Sequence, residues 1–432
     1  NMDVFAICIL IFSFILLIGI GTPIAWSIAL SSLFSLIVNL PNISSFTTIA
    51  QRMATGLDSF SLLAIPFFIL SGQLMTHGGI AKRLISFAKT LVVNIPGGLA
   101  LINIVSAMMM GAITGSAMAS ASAMGSTLGP EMENEGYEKE FSAAVNIASA
   151  TMGLVIPPSN ILIIYSLASG GISIAALFLA GYLPGIIIGF FLMIVAAIWA
   201  KRKGYPVLKR SNFRNIISSF INALPSVLLL FIVIGGIVLG FFTATEASAI
   251  AVLYTLILGI VYNEIKMIEL PRILLNSSKT SAVVLLLIAS SMSMSWVISY
   301  ENLPQNISHF LLGISDNKII ILLLINLILL FVGIFMDMTP ATLIFTPIFL
   351  PIVKSIGIDP VQFGIIMVVN LCIGLCTPPV GSVLFVGISV AKTSVEKVVK
   401  PLLPLFLAMI LSLILITLIP EITLWLPRKF GF

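Results

Sequence analysis

Long apolar runs alternate with short polar connections along the chain, and their lengths predict two kinds of membrane helix. Runs near 20 residues can cross a bilayer as helices, whereas runs of half that length cannot. The first half contains the runs Val4–Gly21, Ile24–Leu40, Phe60–Met75, Gly98–Met124, Phe141–Ile156, Pro157–Leu167 and Ile172–Ala200. The second half contains Ile216–Gly240, Ala247–Tyr262, Thr280–Ile298, Ile319–Phe335, Thr339–Ile352, Phe363–Leu375, Pro378–Val390 and Leu402–Ile419. The pattern predicts an all-α polytopic membrane protein with roughly ten spans and additional re-entrant pieces.

Two of these apolar stretches are interrupted by paired prolines, Pro157–Pro158 and Pro378–Pro379. Proline lacks a backbone N–H, so a helix must end before each pair, and carbonyls of the preceding turn lose their partners. Because proline also suits the first position of a helix, we expect a new helix to begin at once. A simple proline kink would explain one such site. Two matching sites favour helices broken in mid-membrane around a binding site.

The chain repeats itself at an offset of 221 residues, the separation of Gly153 from Gly374. The same offset superposes Thr22 on Thr243 and Ser116 on Asp337. We therefore predict two repeats, residues 1–205 and 222–432, joined by a linker at 206–221. Each repeat is predicted to contain a re-entrant hairpin, at about 98–129 and 319–355, and a broken helix, at about 141–170 and 360–391.

The charged residues predict how the repeats are oriented in the membrane. Only 9% of the residues are charged and 59% are hydrophobic, and the net charge of +5 is dispersed between spans, which argues against a nucleic-acid partner. The stretch Lys201–Arg214 carries six basic residues and no acid, so we place it in the cytoplasm. The two repeats then have inverted topology, and the first hairpin enters from the cytoplasm and the second from outside.

Catalytic motifs are missing from the sequence. It contains two histidines, no HExxH, no GxSxG and no phosphate-binding Walker loop, so we predict that the protein is not an enzyme. Its three cysteines all lie in apolar runs and are interpreted as packing residues.

Each repeat should bring a hairpin tip and a broken helix to the same depth. A first cation site would use Gly115 and Ser116 with carbonyls of Gly153 and Val155; a second would use Asp337, Thr339, Gly374 and Thr377. Such hard oxygen ligands suit an alkali or alkaline-earth cation. The partial negative charge at the half-helix C-termini favours a cation such as Na⁺. The helix N-termini after the prolines, at Ser159 and Asn160, favour an anionic substrate group, which Ser116, Asp337 and Thr339 would also contact. The alternative is that these small residues serve only helix packing.

Two acidic residues in apolar surroundings are interpreted differently. A carboxylate at Asp337 costs about 2.5–3.5 kcal/mol to insert into a membrane, so it requires a cation, a proton or hydrogen-bond donors. The alternative is a hydrated residue at the mouth of the hairpin. Thr243-x-x-Glu246 instead predicts a capping box at the start of a helix.

At several of these positions the sequence resembles the large membrane subunit of TRAP transporters, the tripartite ATP-independent periplasmic carriers. The similar motifs are Ile113-Thr-Gly-Ser-Ala, Pro130-Glu-Met132, Gly136-Tyr137, Gly-x-x-Ile-Pro-Pro-Ser at 153–159, Ala180-Gly-Tyr-Leu-Pro-Gly185 and Thr245-Glu-Ala247. The resemblance implies an elevator-type, sodium-coupled importer in the bacterial inner membrane. It also implies a periplasmic substrate-binding protein and a small four-helix membrane subunit, which in some members is fused to the large one.

The resemblance also implies that the sodium ligands lie in the hairpin-tip and broken-helix motifs. This chain departs from many relatives at Ser120, where they have an acid, and at Ala244, where they have proline. The favoured cargo is a sialic acid, followed by a C4-dicarboxylate or another organic acid. Alternatives are a stand-alone divalent-anion/sodium symporter without a binding protein, an intramembrane enzyme and a structural scaffold.

Overall fold

A computed structural model describes residues 2–91, 95–207, 213–315, 317–378 and 380–432; Lys209, Arg210 and Pro379 lie outside these ranges. The first-half helices are α1 (Met2–Gly19), α2 (Ile24–Asn39), α3 (Asn42–Gly56), α4 (Ala64–His77), α5 (Ile80–Leu91), α6 (Gly98–Thr114), α7 (Ala117–Asn134), α8 (Lys139–Met152), α9 (Asn160–Ala168) and α10 (Ile174–Lys203). The second-half helices are α11 (Phe213–Val238), α12 (Ala244–Val261), α13 (Leu270–Tyr300), α14 (Leu303–Ile314), α15 (Lys318–Phe335), α16 (Met338–Ser355), α17 (Pro360–Leu375), α18 (Ser382–Ala391), α19 (Val395–Leu418) and α20 (Glu421–Lys429). Short 3-10 helices cover Phe60–Leu63 and Gly153–Val155.

The described residues form helices and connections, with one isolated antiparallel bridge between Pro96 and Val207. Eight of the described helices are long and apolar enough to span a membrane, or nine if the bent pair α8–α9 counts as one span. The predicted all-α membrane protein is therefore confirmed. Apolar runs did not predict α3, α5, α14 or α20, because polar residues interrupt the apolar sequence of these amphipathic helices.

The helix order of the second half follows that of the first at the predicted offset. Three pairs of helices begin 221 residues apart: α7 and α16 at Ala117 and Met338, α8 and α17 at Lys139 and Pro360, and α10 and α19 at Ile174 and Val395. The main difference is that α3, the first 3-10 helix and α4 correspond to the single helix α13. The repeat predicted from a few glycines, prolines and threonines thus extends to the helix boundaries.

The helices restart later than expected after each proline pair. The second halves begin at Asn160 and Ser382, not at Pro157 and Pro378, so the expectation of an immediate restart was wrong. Ile156 and Ser159 have extended backbone angles, with ψ of 127° and 121°. A residue before proline is driven out of the helical region, which lengthens the non-helical segment. The α8 and α9 axes meet at a 48° bend.

Packing divides the described helices into two groups. We call α6–α10 with α15–α20 the hairpin body, and α1–α5 with α11–α14 the frame. In the frame, α4 packs along α12 and α2 along α13; the main contacts between the groups join α13 to α16 and both α4 and α5 to α6. Every residue from Phe141 to Met152 and from Gln362 to Leu375 is buried, so α8 and α17 form the centre of the hairpin body.

Candidate functional site

Both hairpin tips and both helix restarts line one cavity of about 470 Å³ between the hairpin body and the frame. The first tip contributes Gly115 and Ser116, and the second contributes Asp337 and Thr339. Asn160 and Ser382 come from the first residues of α9 and α18. A cavity of this volume lies within the range of small-molecule sites, and its polar groups converge from four separate elements.

The first tip is a tight connection between α6 and α7. Gly115 has a φ of +62°, which glycine adopts without the steric cost of a Cβ atom. A Cβ atom there would also lie 2.5 Å from Nδ2 of Asn160, so the tip packs directly against the start of α9. The Ser116 hydroxyl accepts a hydrogen bond from the Ala119 N–H at 3.2 Å and caps α7. The backbone around Ser116 and Asn160 is therefore held in place by these contacts where the two side chains reach the cavity.

The second tip adds a carboxylate at the start of α16. Asp337 is the N-cap residue, and the N–H groups of Met338 and Thr339 lie beside its carboxylate without the geometry of a capping hydrogen bond. Asp337 and Thr339 are both partly exposed to the cavity. The positive end of α16 offsets part of the cost of burying a carboxylate there. The two repeats thus present a hydroxyl at one tip and a carboxylate at the other.

The broken helices approach the hairpin arms backbone to backbone. A Cβ atom on Gly153 would lie 2.6 Å from the Met108 carbonyl oxygen, and one on Gly374 would lie 2.4 Å from the carbonyl carbon of Gly333. The Gly153 carbonyl accepts from the Ile156 N–H at 3.2 Å, and the Gly374 carbonyl accepts from the Thr377 N–H at 3.0 Å. Both glycines therefore allow a broken helix to pack closely against a hairpin arm.

Several predicted site residues lie behind the cavity wall. Ser159 is 1% exposed, and its hydroxyl donates to the Leu154 carbonyl at 2.6 Å. The Val155 carbonyl oxygen lies against Gly181 of α10, and the Thr377 hydroxyl donates to the Ile373 carbonyl at 2.6 Å. Of the predicted residues, the cavity brings together Gly115, Ser116, Asn160, Asp337 and Thr339; Gly153, Val155, Ser159, Gly374 and Thr377 do not line it.

The donor set of this region is one carboxylate with hydroxyl, amide and carbonyl oxygens. The described part of the chain contains no cluster of three or more His, Cys, Asp or Glu residues placed to hold a metal ion. Oxygen donors with at most one carboxylate fit a monovalent hard cation such as Na⁺ better than a transition metal.

Four polar residues on the cavity wall were not predicted as site residues. Gln73 on α4 and Thr280 on α13 come from the frame, and Thr114 and Ser382 come from the hairpin body. The buried Ser382 hydroxyl has no hydrogen-bond partner among the described residues. A polar side chain inside an apolar run, as at Gln73, was the available signal.

The capping box predicted at the start of α12 is confirmed. The Thr243 hydroxyl accepts from the Glu246 N–H at 3.2 Å, and the Glu246 carboxylate accepts from the Thr243 N–H at 2.8 Å. Glu246 is exposed and does not line the cavity, so it serves the helix end.

Comparison with known proteins identifies similar chains. The family described as "Tripartite ATP-independent periplasmic transporter, DctM component" matches residues 11–422. The uncharacterized protein YgiK of Salmonella typhimurium is 56% identical over 99% of this chain and 98% of its own. The sialic acid TRAP transporter large permease protein SiaM of Vibrio cholerae is 38% identical over 97% and 98%. The C4-dicarboxylate TRAP transporter large permease protein DctM of Rhodobacter capsulatus is 35% identical over 95% and 96%. The crystal structure of the Alcanivorax borkumensis YdaH transporter superposes with a TM-score of 0.65 at 14% identity over 88% and 89%, which shows a shared fold.

Proposed function

The chain belongs to the DctM component family of tripartite ATP-independent periplasmic transporters, and we propose that it imports an organic acid anion together with sodium ions. The motif resemblance and the prediction that the chain is not an enzyme are confirmed by this membership. In the proposal, a periplasmic substrate-binding protein delivers the cargo. A small four-helix membrane subunit, separate or fused, completes the membrane part in the bacterial inner membrane.

The convergence of two hairpin tips and two helix restarts on one cavity supports this function best. The N-termini of α9 and α18 favour an anionic group of the cargo near Asn160 and Ser382. Carbonyl and hydroxyl oxygens at the tips and breaks would hold Na⁺, with Asp337 supplying the full negative charge. Binding of the cation beside Asp337 would offset the cost of that carboxylate in the membrane, and this links ion binding to closure of the site.

Neutral polar groups at Ser116, Asn160 and Thr339 suit a hydroxylated acid. The relatives named for sialic acid and for C4-dicarboxylates have similar identities to this chain, 38% and 35%, so similarity alone does not separate the two cargoes. We propose sialic acid as the first cargo to test and a C4-dicarboxylate as the second.

We further propose that the hairpin body slides against the frame, as in an elevator. Two frame helices line the cavity, and the positions they use can be compared through the repeat. On α4 these positions are Ile65, Ile69, Gly72 and Gln73, and on α13 they are Thr280, Val283, Val284 and Leu287. At the offset of 221, the α13 residues correspond to Ser59, Leu62, Leu63 and Pro66. The cavity-lining residues of α4 lie six to nine positions further along the chain than these counterparts. If the hairpin body were at the midpoint of its movement, repeat-equivalent positions of α4 and α13 would line the cavity. A displacement of the hairpin body from the midpoint appears once on α4 and once on α13, so half of the difference measures it. At 1.5 Å per helical residue, this displacement is about 5 Å.

The direction of this shift follows from the proposed topology. In that topology the cytoplasmic end of α4 is His77 and that of α13 is Leu270. The cavity-lining residues of each helix therefore lie nearer the cytoplasm than the positions equivalent to those used on the other helix. We therefore propose that the hairpin body is displaced towards the cytoplasm in this structure. In the opposite state the counterparts of the α4 set, among them Ser290 and Ser293, would line the cavity; both are now fully buried.

Uptake into proteoliposomes tests the function. Labelled sialic acid should accumulate only when an inward sodium gradient and the cognate binding protein are both present. Uptake without the binding protein would favour the stand-alone symporter, and uptake driven by protons or ATP without sodium would refute the coupling.

Thiol labelling tests the sliding motion. Thr280→Cys should react readily in the present state, and Ser293→Cys should react only after the body moves outward. Sodium-dependent transport with Ser293→Cys protected under all conditions would contradict the proposed displacement without affecting the proposed function.

A further inference from the structure

An ion pair crosses from the frame to the hairpin body away from the cavity at the tips. The Lys89 ammonium group on α5 donates to both carboxylate oxygens of Glu131 on α7, at 2.8 and 2.7 Å. Neither group has a second ion-pair partner among the described residues. Glu131 belongs to the motif Pro130-Glu-Met132, which does not line the tip cavity. The pair is therefore separate from the proposed substrate and cation sites.

The Lys89–Glu131 pair differs from the other polar side-chain contacts in what it joins. On the frame side, the Phe87 ring of α5 packs against the Phe220 ring of α11, with centroids 5.4 Å apart. On the other side, α7 is the second arm of the first hairpin. Among the side-chain hydrogen bonds and ion pairs between described residues, this pair alone joins the frame to the hairpin body. Sliding of the body past the frame would therefore act directly on it.

The second repeat has no charges at the equivalent positions. At the offset of 221, Lys89 corresponds to Phe310 on α14 and Glu131 corresponds to Ile352 on α16. Phe310 is 69% exposed whereas Ile352 is 1% exposed, so these two side chains are not packed tightly together. The ion pair is therefore a feature of the first repeat alone, and the packing that the two repeats share does not require it.

The comparison of the repeats also indicates when the pair is formed. In an inverted repeat, the two halves exchange their conformations between the inward and the outward state. In the outward state, α5 and α7 should then adopt the relation that α14 and α16 have here. The proposed displacement of about 5 Å on each side of the midpoint exceeds the length of a hydrogen bond. We therefore expect the pair to be formed in the inward state and broken in the outward state.

We propose that the Lys89–Glu131 pair is a cytoplasmic latch that favours the inward-displaced state. In the proposed topology both residues lie on the cytoplasmic side, and the equivalent residues on the outer side are apolar. The latch therefore acts in one direction only. Both side chains are partly exposed, 36% and 42%, so salt should weaken the latch by screening. The inference rests on the sliding motion in the proposed function and adds to it a salt-sensitive bias between the two states.

Thiol labelling of Ser293→Cys in the full-length chain measures the outward population. Ser293 is fully buried here and would line the cavity only after the body moves outward. The parent protein also carries Cys8→Ser, and the other two native cysteines are buried. Each of the substitutions Lys89→Gln and Glu131→Gln should raise the labelling rate about two- to fivefold, as expected for the loss of an exposed ion pair. The double variant should label no faster than either single variant.

A charge exchange and a matched control show whether the pair itself is responsible. Lys89→Glu combined with Glu131→Lys re-forms the pair with reversed polarity and should restore the parent labelling rate. Lys203→Gln breaks the Lys203–Glu138 pair, which has the same 2.7 Å length and similar exposure, 42% and 47%, but lies wholly within the hairpin body. This control should label at the parent rate.

The salt dependence gives a second measurement that needs no substitution in the parent pair. Raising choline chloride from about 10 mM to about 1 M shortens the Debye length from about 30 Å to about 3 Å without adding sodium. It should speed the labelling of the parent protein about two- to fivefold. It should have no such effect in Lys89→Gln, where the pair is already absent.

The outcomes separate the latch from the proposed function. The latch is overturned if the single variants label at the parent rate, if the charge exchange leaves the rate raised, or if Lys203→Gln raises it as much as Lys89→Gln does. Labelling that is absent in every variant would overturn the latch and the sliding motion together. Sodium-driven uptake by the parent protein would still support the function in each of these cases. The expected labelling pattern in a protein that takes up none of the proposed acids would support the latch and refute the cargo.

Discussion

Replacing Asp337 by asparagine should separate sodium binding from folding. Asparagine keeps the size of the side chain and remains a good N-cap residue for α16. It removes the carboxylate, whose insertion costs about 2.5–3.5 kcal/mol, so the variant should be at least as stable as the wild type. It also removes the one full negative charge that the described residues of the cavity wall offer to a cation.

The expected size of the effect follows from this loss of charge. A charge-assisted contact contributes about 1.5–3 kcal/mol, so the sodium concentration for half-maximal uptake should rise about ten- to hundredfold. At the repeat-related position, Ser116→Ala removes only a hydroxyl that caps α7. This substitution should lower the stability of α7 by about 1 kcal/mol. It should raise the sodium concentration for half-maximal uptake less than Asp337→Asn does.

The assay is the initial rate of uptake into proteoliposomes at increasing external sodium, with a thermal melt of each purified variant. Glu246→Gln is the matched control, because it also converts a helix-terminal acid to an amide. Glu246 is exposed at the start of α12 in the frame, and glutamine maintains a capping box. Its sodium dependence should equal that of the wild type.

Two results would refute the reasoning. An unchanged sodium dependence in Asp337→Asn would mean that Asp337 is a hydrated residue of the hairpin mouth and that the second cation site is misplaced. An equal rise in the sodium concentration for half-maximal uptake in Glu246→Gln would mean that the loss of any acidic residue has this effect. The shift in Asp337→Asn would then be no evidence for a cation site.

Three further predictions follow from the fold. Arg202→Cys should react only with reagents admitted to the cytoplasm and Ser355→Cys only from outside; labelling of both from one face would rule out the inverted repeat. Gly374→Ala forces a Cβ atom against the Gly333 backbone and should cost about 1–3 kcal/mol by overpacking, measured as a lower melting temperature, whereas Gly235→Ala, with open space around it, should not. Thr243→Ala removes the capping box and should destabilise α12 by about 1 kcal/mol in a thermal or denaturant melt, and a melt equal to that of the wild type would show that the cap contributes nothing.

The sequence by itself determined the membrane class, the hairpins, the two breaks and the repeat. These features depend on local sequence. In lipid, the backbone N–H and C=O groups of an apolar run can form their hydrogen bonds only within a helix, and a proline pair removes the N–H donors that would continue that helix. The positions of Ser116 and Asp337 at hairpin tips followed from the same local rules. The later restarts at Asn160 and Ser382 were not predicted, although the steric effect of proline on the preceding residue is also a local rule.

Only the tertiary structure decided which polar groups share a cavity. Ser159 and Asn160 are adjacent in sequence, yet the hydroxyl of Ser159 turns back to the Leu154 carbonyl, whereas Asn160 reaches the cavity beside Gly115. Gln73 and Thr280 join the wall because the frame packs against the hairpin body there, at long sequence separation. Such contacts depend on three-dimensional packing between distant segments, which the pattern along a single chain does not encode residue by residue.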